Sequence, residues 1–136
     1  MKRIIRLCLF FFFTPAPLLP AFAPAARADV AGGVQALVRI EPAAVAPTSI
    51  RVAPGGRFQI ANRSSSPARV IFDRRAAADL ECSLDSAEQV RTGQFVLSAD
   101  GAISCTAGDR SLSYTIFAPN PLGQIEKTRA KIVVRR

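Results

Sequence analysis

The sequence predicts an all-β fold, an antiparallel β-sandwich or Greek-key barrel, behind a cleaved signal peptide. Two features of the 136-residue chain carry the fold prediction. Short apolar runs alternate with polar residues between Pro, Gly and Asn clusters, while helical periodicity is nearly absent. The last 108 residues (136 − 28) also hold two cysteines, Cys82 and Cys105, an even number that suits one disulfide in an exported domain.

The export signal is read from the first 28 residues. Lys2, Arg3 and Arg6 form a basic start, and Leu7–Phe13 is a short apolar run. Small residues at Ala26 and Ala28 place the cut before Asp29. The run is too short to cross about 30 Å of hydrocarbon, and Pro15, Pro17 and Pro20 break it. Cys8 lies inside this run and leaves with it. The organisation expected is therefore 1–28 signal peptide and 29–136 single β-sandwich domain, periplasmic or secreted.

Each element of the domain has its own local reason. Val34–Ile40 alternates and predicts a first strand, with Pro42 and Pro47 bracketing a connector. Ser49–Val52 is a short strand, and Ala53–Gly56 a turn. Arg57–Ala61 alternates with Phe58 and Ile60 on one face; Asn62–Pro67 is a polar loop and Ala68–Phe72 a strand. Asp73–Leu84 is the one helix-tolerant stretch, with Ala76, Ala77 and Ala78 together, and predicts one or two helical turns or a loop. Phe95–Leu97 and Ala102–Cys105 predict two strands joined by a turn at Ala99-Asp100-Gly101. Ala107–Arg110 turns into Ser111–Phe117, the longest strand signal. Asn120–Gly123 turns again, and Arg129–Val134 closes the domain.

Composition excludes much chemistry. The chain has no histidine, so no imidazole base exists for a Ser or Cys nucleophile. Metal-ligand spacings and phosphate-cradling glycine loops are absent. Asp73, Asp79, Glu81, Asp85 and Glu88 cluster in a polar segment and read as solvated charge rather than a catalytic pair. The expectation is a non-enzyme without cofactor. From Asp29 onward the formal charge is +4 (14 − 10), with no basic run longer than two residues. That balance reads as solubility first, and as contact with a membrane surface or anionic glycan second. Thin basic–aromatic interleaving and export argue against nucleic acid.

Two stretches resemble the cupredoxin family. Val45–Asp73 (VAPTSIRVAPGGRFQIANRSSSPARVIFD) has the proline, short strand, Pro54-Gly55-Gly56 turn, alternating strand ending in Asn62, polar loop and following strand of that family's first half. Thr92–Cys105 (TGQFVLSADGAISC) resembles its second half, where a glycine turn precedes the strand bearing a copper cysteine. The resemblance implies a cupredoxin-like sandwich; the alternation alone equally allows an Ig-like one. It does not extend to the metal. A blue-copper site needs two imidazoles and a thiolate, often with an axial methionine. Ala68–Val70 offers Ala, Arg and Val where the first histidine would stand, Thr-Ala-Gly follows Cys105, and the sole methionine is Met1.

The function expected is that of a metal-free exported envelope binding or accessory domain that recognises a protein partner. The alternative is a pilus or surface-assembly component that works by β-strand exchange. An exposed strand edge or the Asp73–Arg91 segment is the expected contact, the latter read as an excursion outside the sandwich with dense charge, and Arg74 and Arg75 are the candidate partner contacts.

Overall fold

The computed structural model describes residues 33–136; the signal-peptide assignment lies outside the described residues. These residues form strands β1 (Val34–Ile40), β2 (Val45–Ala46), β3 (Ser49–Val52), β4 (Arg57–Asn62) and β5 (Ala68–Phe72). One helical turn, α1 (Arg74–Ala77), precedes β6 (Glu81–Arg91), β7 (Gln94–Thr106), β8 (Leu112–Pro119) and β9 (Ile125–Val134). The all-β sandwich expected from alternation is present, and α1 is the only helix among the described residues.

Hydrogen bonding runs in the order β2-β1-β4-β7-β5-β8-β9-β3, with β6 on the other side of β7. Two pairs are parallel, β1 with β4 and β3 with β9; the remaining pairs are antiparallel. β7 belongs to both layers. Its residues Ala102–Thr106 pair with β4, and its residues Gln94–Leu97 pair with β5. β6 follows β7 through both halves. The sheet therefore folds over at the middle of the β6–β7 hairpin, and the two layers close on one core.

That core is what alternation predicts. Phe58 and Ile60 on β4, Val70 and Phe72 on β5, Leu97 and Ile103 on β7, Ile116 on β8 and Ile132 on β9 are all buried. Each such side chain contributes roughly 1.5–3 kcal/mol on leaving water. Phe72 organises the aromatic part, with ring centroids 5.9 Å from Phe95, 5.4 Å from Tyr114 and 6.3 Å from Phe58. The edge-to-face contact with Phe95 is a favoured aromatic geometry.

Two expectations are corrected. Ala99-Asp100-Gly101 is not a turn between two strands. It is a kink inside the continuous strand β7, with Asp100 at φ 61° facing a register shift at Ser86 (φ 49°) on β6. The positive-φ signal of Asp-Gly is genuine, but β6 stays paired on both sides of it, so the chain bulges instead of reversing. A Cβ on Gly101 would run into the Ser86 carbonyl, so this close approach of backbones needs glycine. The real reversal is Thr92-Gly93, with Gly93 at φ 74° against Ala77.

The second correction concerns Asp73–Arg91. It is not an excursion outside the sandwich, because Glu81–Arg91 is an eleven-residue strand laid along β7. Its charges stay in water without a loop: β6 has layer contacts on one edge only, and most of its side chains are exposed.

Candidate functional site: the β6 edge and the α1 cleft

α1 is one turn after Asp73, whose carbonyl accepts from the Ala76 and Ala77 amides at 3.1 and 2.9 Å. Ala77 is buried under the turn, which leaves Arg74 and Arg75 exposed at its start. The two arginines do not share surroundings. Arg75 lines a cleft of about 500 Å³ with Asp73, Asp79, Asp109 and Arg110, between α1 and the β7–β8 turn. Arg74 lies toward Arg91, Thr92 and Gln94 at the β6–β7 turn. The cleft holds both signs of charge around an apolar floor of Ala76, Leu80 and Leu112. Such a lining suits a polar surface loop or peptide.

β6 leaves this cleft as a free edge. Of its residues only Cys82 and Ala87 are half-buried. Glu81, Ser83, Asp85, Glu88 and Arg91 are exposed, and the apolar Leu84 and Val90 are 44% and 45% exposed. Cys82 and Cys105 stand directly opposite in the β6–β7 register, with Cα atoms 4.0 Å apart and the expected disulfide between them. So close a pair is the non-hydrogen-bonded kind, which turns the backbone groups of Cys82 away from β7 toward the open side. Alternation gives Leu84 the same direction. Among the described residues no strand pairs with this edge, so it offers open backbone donors and acceptors flanked by charge. The sequence does not mark β6 as such an edge because Glu81–Arg91 is mostly polar, with Leu84 and Val90 as its only large apolar side chains; the signal was Thr92-Gly93 followed by an apolar strand, which implies a hairpin partner before it.

Copper, which the cupredoxin resemblance would imply, does not fit the residues present. Cys105 is wholly buried in the disulfide, so it offers no thiolate. Ala68 and Val70 of β5 point into the apolar core, and Arg69 between them is exposed. Among the described residues no three His, Cys, Asp or Glu side chains gather where a metal ion could sit.

Asn62 does something else. It is buried, and its amide donates to the carbonyls of Ser66 (2.8 Å), Leu97 (3.2 Å) and Ser98 (3.1 Å). Its Oδ1 accepts from the Ser64 amide at 3.0 Å and hydroxyl at 2.7 Å. This is a structural hub that ties the Arg63–Pro67 loop to β7 where that strand passes from one layer to the other.

No protein-family model matches this chain, and no curated protein matches it. Solved structures of amicyanin variants are similar to it. An oxidized mutant of amicyanin gives a TM-score of 0.47 and the Cu(I) form of another mutant 0.46, each at 20% identity over 79% of this chain and 88% of the other. A reduced mutant gives 0.45 with the same identity and coverage.

Proposed function

We infer that this chain is a metal-free, non-enzymatic domain of the cell envelope that works by binding a protein partner along Asp73–Arg91. The observation that carries the reading is the edge of β6 that no other strand pairs with among the described residues: eleven residues, nine of them exposed, with outward backbone groups at Cys82 and Leu84. An extended partner segment adds to such an edge through main-chain hydrogen bonds, and side chains at the margin select it. Arg74 and Arg75, exposed beside the start of β6, supply that selection toward a partner with acidic residues. The absence of histidine and the disulfide-stapled scaffold agree with a binding role.

The same edge supports the second reading, a surface-assembly component that exchanges strands. The Ser86 bulge and the charges at Glu81, Asp85 and Glu88 weigh against it, since bulges and charges are how edges avoid indiscriminate pairing. One experiment separates the readings. Photo-crosslinking from Ser83 and Glu88 in intact cells should yield one heterologous adduct. Paired Arg74→Glu and Arg75→Glu should reduce that adduct about tenfold, a loss of one charge-pair's worth of affinity, with the melting temperature unchanged. Adducts made only of copies of this chain would move the assignment to strand exchange. A heterologous adduct indifferent to both substitutions would remove the arginines from the site.

A further inference from the structure

A different surface carries an independent inference. In the layer formed by β5, β8, β9 and β3, Val70, Ile116, Ile132 and Ile50 are buried, so their alternate neighbours face outward. The outward residues include Arg69 on β5, Lys127, Arg129 and Lys131 on β9, and Arg51 on β3, all exposed. The cross-strand register sets them side by side: Arg69 opposite Phe117, Phe117 opposite Lys127, and Lys131 opposite Ser49. No outward position on these four strands is a carboxylate. Five cations thus share one face of a chain whose net charge from Asp29 onward is only +4 (14 − 10).

The face is built in two zones. Toward one end, Lys127, Arg129 and Lys131 surround a shallow depression of about 600 Å³ floored by the hydroxyl residues Thr48, Ser49, Ser113 and Thr115. Toward the β8–β9 tip, Ile71, Val96, Phe117 and Ile125 line an apolar groove of about 430 Å³ around Arg69. Lys127 joins the zones, its Nζ 6.0 Å from the Phe117 ring centre. The tip itself is pinned. Asn120 Oδ1 accepts from the Leu122 and Gln124 amides, both at 2.9 Å, and the Asn120 amide donates to the Gln124 carbonyl at 2.7 Å. This ordered turn holds Leu122 at 82% exposure and Ile125 at 67%.

We propose that this face and tip dock the domain on an anionic phospholipid bilayer. The cations meet lipid phosphates, the hydroxyl row completes headgroup hydrogen bonding, and Leu122 and Ile125 enter the headgroup–acyl boundary. Charge complementarity names the sign of the occupant, and the rigidly presented aliphatic tip separates a bilayer from an acidic glycan, which has no apolar phase to receive it. Each cation near an anionic membrane surface is worth about fivefold in partitioning, and the attraction weakens with salt.

The test is co-sedimentation of the chain from Asp29, which holds every described strand, with mixed phosphatidylglycerol–phosphatidylcholine vesicles. Binding should fall with added salt and be lost on pure phosphatidylcholine. Joint Lys127→Gln, Arg129→Gln and Lys131→Gln should lower partitioning about a hundredfold. Leu122→Ser, on an exposed turn where folding is safe, should lower it about tenfold while leaving the melting temperature alone. Equal binding to pure phosphatidylcholine, or no loss in either variant, overturns the proposal. So does retention on an alginate column that the triple substitution abolishes and Leu122→Ser ignores while vesicles are not bound; that outcome assigns the face to acidic glycan.

Discussion

The side-chain amide of Asn62, at the end of β4, donates a hydrogen bond to the carbonyl of Leu97 on β7, 3.2 Å away and 35 residues later in the chain. Between Leu97 and Ala102, β7 has left β5 and has not yet reached β4. Its carbonyls there have no strand partner on that side, and Asn62 takes the place of one. Asn62→Ala should therefore cost about 3 kcal/mol, because several buried acceptors lose their donor at once. Urea unfolding followed by tyrosine fluorescence measures it. Asn62→Asp should not rescue, since a carboxylate cannot donate; a loss below about 1 kcal/mol would reduce Asn62 to an ordinary loop residue.

Tyr114 packs its ring in the aromatic core, where the hydroxyl is buried and has no hydrogen-bond partner among the described residues. Burial pushes its pKa up. Tyr114→Phe should stabilise the fold by about 1 kcal/mol by removing an unpaid desolvation. The pH dependence has a definite sign. The folded chain holds the phenol proton more tightly than the unfolded chain, so stability from this group is constant below pH of about 10 and falls above it. Thermal melts across that range should show an alkaline decline in the parent that is shallower in Tyr114→Phe. Equal slopes would mean that the phenol reaches water.

The Cys82–Cys105 bridge closes a loop of 24 residues around the Thr92-Gly93 reversal. Joint Cys82→Ala and Cys105→Ala should lower stability by roughly 3–4 kcal/mol on the chain-entropy account. Chemical denaturation reads the loss, and intact mass with and without reductant should differ by two hydrogens. Two thiols that alkylate freely in the folded, unreduced protein would contradict the bridge.

What the sequence by itself determined is the alternation, and with it the fold class. Phe58 and Ile60, or Val70 and Phe72, specify their inward face because side chains in a strand have a period of two and only one face can leave water. The disulfide was legible for a similar reason: Cys82 and Cys105 are the only cysteines from Asp29 onward, so each has only the other to pair with there. The exposure of Arg74 and Arg75 followed from charge resisting burial. Tertiary structure decided the rest. Asp100-Gly101 carries the same local signal for a hairpin turn and for a bulge; whether β6 continues past it on the neighbouring strand settles which one forms, and that is a non-local fact. Glu81–Arg91 alternates only at Cys82 and Leu84 and has no sustained apolar face, so its own residues mark a strand only weakly. It is one because β7 beside it has an open edge, and backbone hydrogen bonding does not depend on side-chain pattern. The cationic face arises in the same way. Arg51, Arg69 and Lys127–Lys131 are scattered along the chain, and only the cross-strand register brings them to one surface, because charge density belongs to neighbours in space and strand pairing chooses those neighbours.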